Sequence, residues 1–204
     1  MGVLMRRLFG GAEPLETADH LRRSMASRSA FISQKSAIEY CRARAGLNWD
    51  KLFKEMDFQA ALERCRWEAL SAVALDVAVV IEGFLRPHWT GPLPVLADRL
   101  AVLLGEGLTE LGTPPYRPDG WAGLVADTRE RLALAQLGAP KPAYEVAVVG
   151  AERLFEVLPI HTNLRQHDRE MVVNGVRFLM TRYADDLTTS LRPGALARDL
   201  ASAG

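Results

Sequence analysis

The chain has 204 residues, about half of them apolar, with 25 Lys and Arg against 25 Asp and Glu and only two cysteines. That length and apolar content allow one domain with its own core, without disulfides or structural metal. Two cysteines outside any Cys-x-x-Cys spacing exclude a stapled secreted scaffold and suit reduced core thiols in a cytoplasmic protein.

Residues 1–16 read as a flexible N-terminal segment, 17–192 as the helical domain and 193–204 as a tail. The opening MGVLMRRLFGG has charges inside its short apolar run and no small-residue cleavage site, so a secretory signal is not expected. Arg6 spoils the myristoylation pattern that Gly2 would begin. The first helical region runs from about Thr17 to Ala45, with Gly46 as a left-handed stop. Its apolar stripe changes face between Leu21, Met25 and Ile32 on one side and Phe31, Ile38 and Cys41 on another. The change falls near Ser27, Ser29 and Ser33 and predicts a bend there. Asn48 can cap a short helix to Glu55, and Asp57 a longer one to Leu85, stopped by Pro87. That longer helix holds the longest apolar run, which Asp76 and Glu82 interrupt before it reaches membrane-spanning length.

Helices are expected over 93–111, ended by Gly112, and from a cap at Asp119 to Leu137, ended by Gly138. Another is expected over 142–157 before Pro159. Asn163 with Gln166 suggests a capping box for the last long helix, to about Leu191, with Val172, Val176, Leu179, Tyr183 and Leu187 as its buried stripe. Nothing reads as a sheet, and short connections imply antiparallel neighbours. The fold class is all-α, a single-domain bundle of about six to nine helices.

Net charge is zero, yet residues 1–54 carry ten Lys and Arg against five Asp and Glu, a balance of +5. Arg28, Lys35, Arg42, Arg44, Lys51 and Lys54 make up a candidate basic surface for nucleic acid, a small anion or a protein partner, or for the protein's own acidic remainder. Asp76 falls in line with Phe58, Leu62, Cys65, Ala69 and Ala72, so it is either a tuned acid or half of a buried ion pair with an arginine on another helix. LPIHTNLRQHDRE, at 158–170, supplies His161, Arg165, His167, Asp168 and Glu170 as a second set of candidate polar groups. His161 with His167 can be read as a metal pair, and His167 with Asp168 as a proton-transfer pair. The bland alternative is helix capping plus an Arg–Asp pair. No cofactor or metal motif is recognisable, since the Glu-x-x-His pairs of a di-iron bundle and phosphate-cradling glycines are both missing. Trp49 and Trp67 read as core anchors, and Cys41 and Cys65 as core residues.

RARAGLNWDKLFKEMDFQAAL, residues 42–62, resembles the end of a TetR-type helix-turn-helix: Ala45, Gly46, Leu47 and Asn48 match its turn, Leu52, Phe53 and Met56 its apolar positions, and Ala61-Leu62 its close. That resemblance implies DNA binding through 48–54 and a homodimer through the C-terminal helices. The upstream glycine is missing, and Trp49 and Asp50 stand where small or basic residues are usual. SRSAFISQKSAIEYCRARAG, LNWDKLFKE, ALERCRW, EGFLRP and LPIHTNLRQHD together resemble a bacterial family of uncharacterised all-helical proteins, some labelled esterase. The chain shows no Gly-x-Ser-x-Gly elbow to support that label. The expectation is a non-enzymatic interaction or regulatory protein that holds a partner or small anion through its basic surface or the groove near 165–170. A TetR-like regulator and a hydrolase are the alternatives.

Overall fold

Asp76 lies on the helix around which the others pack. In the computed structural model, which describes residues 14–202, helix α1 spans Ala18–Ala45 and a 3-10 turn, Gly46–Asn48, leads to the single-turn α2, Trp49–Leu52. α3 spans Met56–Leu85, α4 Leu93–Leu111 and α5 Ala122–Ala135. α6 (Ala143–Val146), α7 (Val149–Val157), α8 (Thr162–Arg165), α9 (Arg169–Ser190) and α10 (Pro193–Ser202) follow. The described residues contain no strand, and an isolated bridge joins Leu15 to Leu191.

The C-terminal half of α3 is the axis of the bundle. From Ala69 to Glu82 almost every residue is buried, as expected of a helix covered on all sides. α1, α4, α5 and α7 all pack on it. Ala69, Ala74 and Ala78 have no side chain beyond Cβ, so neighbouring helices can come close. The closest approach is at Gly150 of α7, where a Cβ would lie 2.9 Å from Val73 Cα. No helix among the described residues is long and apolar enough to cross a membrane.

Several helix ends fall where the sequence puts them. Thr17 caps α1 by accepting from the His20 N–H at 3.2 Å, and Gly46 ends it with φ +55°, a conformation glycine adopts without steric cost. α3 stops at Leu85 and α4 at Leu111, before Gly112.

Other expectations are corrected. α1 has no break at the serines: Ser29 and Ser33 each donate to the carbonyl four residues back, Met25 O at 2.7 Å and Ser29 O at 2.9 Å. Those bonds satisfy the buried hydroxyls inside a continuous helix. Nor does the buried face change: Ser29, Ser33 and Ala37 continue it from Met25 to Tyr40, while Phe31 is 49% exposed and Ile38 only partly buried. Asn48 and Asp57 make no side-chain cap, and α3 starts one residue before Asp57. Asp119 does not cap α5, which begins at Ala122.

The helix expected over 142–157 is two. Ala147, at φ −72° and ψ 56°, forms an inverse γ-turn in which the Val148 N–H donates to Val146 O at 2.7 Å. The capping box at Asn163 is absent: α8 lasts one turn, and the long helix starts afresh at Arg169. The expected tail is the helix α10, with Leu196, Ala197 and Leu200 buried. Residues 15–18 are tied to this end of the chain: the Leu15 N–H donates to Ser190 O, at the end of α9, at 2.9 Å and the Ala18 N–H to Asp199 Oδ2 of α10 at 2.7 Å. The remainder of the expected flexible segment, 1–13, lies outside the described residues.

Candidate functional site

Asp76 is 0% exposed and sits against the break between α6 and α7. The Gly150 N–H donates to its Oδ2 at 2.7 Å, and Arg131 of α5 donates to its Oδ1 at 2.8 Å. Gly150 lies in the first turn of α7, so Asp76 accepts the kind of bond an N-cap side chain normally takes, but from another helix. Burial pushes its carboxyl up to about 7, against the lowering effect of the Gly150 N–H and Arg131. The same Arg131 group reaches Val146 O, the end of α6, at 3.3 Å.

Beside this pair lies a pocket of about 540 Å³ between α3, α5, the 137–141 connection and the α6–α7 elbow. Leu134, Leu137, Pro140, Val148 and Val149 give it apolar walls, and Arg131, Arg86, Glu82, Lys141 and Glu145 its polar groups. Arg86 is fully engaged: it meets Glu82 through two bonds of 2.8 and 2.7 Å, and the end of α5 at Gly138 O, 2.6 Å, and Ala135 O, 3.1 Å. Arg131 is not. Its side chain is 31% exposed, yet its Nε is buried and has no acceptor among the described residues. A buried donor left without an acceptor costs about 1–3 kcal/mol. The Nε atoms of Arg66 and Arg177 are enclosed in the same way, so what Arg131 offers the pocket is the partly exposed remainder of its side chain.

The second set of candidates does not join Asp76. Arg165 closes the C-terminus of α7, donating to the carbonyls of Phe155, Glu156 (3.0 Å) and Ile160 (3.0 Å), with its guanidinium 4.9 Å from the Phe155 ring centre. Asp168 accepts from the Tyr40 hydroxyl at 2.9 Å and lies 3.5 Å from Arg44. Burial, then that bond to Asp168, raises the Tyr40 phenol. His161 accepts from the Asn163 N–H through Nδ1 at 3.3 Å, capping α8. His167 and Glu170 are exposed. No group of three or more His, Cys, Asp or Glu among the described residues could hold a metal ion.

The basic surface is largely answered from within the chain. Arg28 meets Asp186 at 3.3 Å and the Tyr183 ring at 5.8 Å, Lys35 pairs with Glu39, and Lys54 with Asp50 at 2.6 Å. Arg44 is shared between Asp168 and the Leu164 carbonyl, and Arg42 stacks 4.8 Å from the Trp49 ring centre. Lys51 is exposed. Trp49 is no core anchor: it is 39% exposed and meets Phe53 edge-on at 6.1 Å. Trp67 is partly buried and packs against Trp121. Cys41 and Cys65 are buried free thiols, both pushed up to about 12 by burial. Among the described residues, the geometry needed for a helix-turn-helix is not present. α1 runs unbroken, and the segment after Gly46 is a 3-10 turn with one helical turn, too short to lay a recognition helix along a major groove.

Sequence reasoning missed Arg131 and Glu82 as parts of the site. Arg131 carries a signal, since it stands at i+7 and i+3 from the buried Leu124 and Thr128, on the inward face of α5. Fold and site together define an all-α bundle with a buried acid–arginine pair flanking a mixed pocket. Compared with known proteins, the chain matches no family model, no curated protein and no solved structure.

Proposed function

We propose that the protein is a non-enzymatic binding protein whose ligand is a small amphipathic anion, a carboxylate on an aliphatic body, taken up in the pocket beside Arg131. The observation that supports the reading is the partly exposed Arg131, with Arg86 and Lys141, at the edge of a pocket with mainly apolar walls. The volume is in the range of small-molecule sites, which combine mainly apolar walls with a few fixed polar groups. A carboxylate would meet the exposed part of Arg131 in a charge-assisted bond, while Leu134, Leu137 and Pro140 would cover its aliphatic body. Binding rather than hydrolysis is supported by the separate engagement of the polar groups: Asp76 by Arg131 and Gly150, Asp168 by Tyr40 and Arg44.

Calorimetric titration with octanoate tests this, with octanol as the uncharged control. The expected result is saturable binding of octanoate, weaker binding of octanol, and loss of the difference in Arg131→Met. Equal affinity for the two probes, or octanoate binding unchanged in Arg131→Met, would overturn it. An ionised Asp76 competes for Arg131, so octanoate should bind more tightly below pH 7 than above it.

A further inference from the structure

The connection between α4 and α5, residues 112–121, lies against one face of α3. Arg64 and Trp67, three residues apart and so on the same side of that helix, both meet it. The Arg64 guanidinium is 5.5 Å from the Tyr116 ring centre, and the Trp67 ring centre is 6.1 Å from that of Trp121. Arg117 folds over Trp121, its guanidinium 5.1 Å from the ring centre.

This connection is stiff. Pro114, Pro115 and Pro118 fix three of its φ angles. The Arg117 N–H donates to Pro114 O at 2.9 Å and the Gly120 N–H to Arg117 O at 3.0 Å. Trp121 Nε1 closes the loop by donating to Gly112 O at 3.1 Å. Trp121 is buried and Tyr116 is 40% exposed, so the ring under Arg117 is anchored in the core while the phenol stands at the surface.

Donors gather here without matching acceptors. Among the described residues, no carboxylate lies within ion-pair distance of Arg64 or Arg117. Glu68, one turn along α3 from Arg64, is taken by Arg153 of α7 at 2.9 Å. Burial, then Glu68, raises the Tyr116 phenol against the effect of Arg117, Arg64 and Arg153, so its hydroxyl stays a donor. A guanidinium stacked on a ring keeps its in-plane N–H edge free, the edge that takes up phosphate or carboxylate oxygens in pairs.

We infer that Arg64, Arg117 and the Tyr116 hydroxyl form an anion site for a phosphoryl group. Two arginine forks and a hydroxyl suit a tetrahedral group with three acceptor oxygens and nearly two negative charges. A planar carboxylate is already satisfied by one fork. None of the three residues lines the Arg131 pocket, so the site is independent of that one. Inorganic phosphate and a phosphomonoester offer the same chemistry.

Calorimetric titration of the full chain at low ionic strength tests the inference, with inorganic phosphate, phenyl phosphate and benzoate as probes. Both phosphates should bind saturably and benzoate more weakly, and the tighter of the two phosphates marks the source of the group. Arg64→Met and Arg117→Met should each weaken binding by about tenfold, the worth of one charge-assisted hydrogen bond. Both side chains lack ion pairs, and an unchanged far-ultraviolet spectrum checks that the variants fold. Arg42→Met, which removes an arginine stacked on Trp49 at the end of α1, should leave the affinity as it is. No saturable binding of either phosphate up to about 10 mM, beyond which affinity is negligible, would overturn the inference. So would benzoate binding as tightly as phenyl phosphate, affinity unchanged in both Arg64→Met and Arg117→Met, or an equal loss in Arg42→Met.

Discussion

Asp76 and Asp168 are both acids next to apolar helical stripes, and the bundle treats them in opposite ways. Asp76 is sealed on the central helix, held by one arginine and one backbone N–H, and that arginine stays partly exposed at the pocket. Asp168 stays partly open, and its tyrosine and arginine partners tie the start of α9 to α1. The first region sets a partly exposed arginine against an apolar pocket, the second makes a closed set of contacts. A charged residue in an apolar pattern therefore borders a pocket in one region and fastens two helices in the other.

The largest separation between the two regions should come from removing Arg131. Arg131→Met strands a fully buried carboxyl and should cost about 3–5 kcal/mol of stability at pH 8. The loss should be smaller at pH 5, where Asp76 can keep its proton; urea midpoints at the two pH values measure it. In the wild type, burial raises Asp76 to about 7 from its unfolded value of 3.8. The folded state thus holds the extra proton between those values, so this contribution to stability falls as pH rises from about 4 to about 7 and is lost above. Asp76→Asn should flatten that slope in urea titrations, and an unchanged slope would show that another group sets it.

Gly150→Ala should cost about 1–3 kcal/mol by pushing α7 off Val73, and it should lengthen the Gly150–Asp76 bond enough to speed exchange of that amide. On the other side of the comparison, Arg165→Ala should cost about 1–2 kcal/mol by uncapping α7 while leaving octanoate affinity unchanged. Smallest of all, Cys41 and Cys65 should not react with a thiol reagent in the native protein and should react together on unfolding, because burial keeps both protonated.

Much of the frame can be read from local patterns. Gly46, Gly112 and Pro87 mark real helix ends because each acts through its own backbone. Asp76 stands out since an acid among Leu62, Cys65, Ala69 and Ala72 breaks a helical stripe. The features that make the site are tertiary. Arg131 is one of three consecutive charged residues; its spacing from Leu124 and Thr128 favours it over Arg129 and Glu130, but only packing sets it against Asp76. The break at Ala147 lies in an apolar run that reads as continuous helix, and it is stabilised by a carboxylate more than seventy residues earlier. The serines of α1 mislead in the other direction, because their hydroxyls return to the helix's own carbonyls rather than interrupting it. Three helix C-termini are served by arginines through side-chain geometry that spacing alone does not encode: α5 by Arg86, α6 by Arg131 and α7 by Arg165.

The most direct test of the account is amide chemical-shift mapping of the isotope-labelled chain titrated with octanoate. If the Arg131 pocket is the binding place, saturable shifts should concentrate on residues 134–150 and on Val79 and Glu82 of α3, with 161–170 and the basic stretch 28–54 unmoved. Shifts centred on 161–170 or on 28–54, or none at concentrations that saturate a small-molecule site, would contradict it.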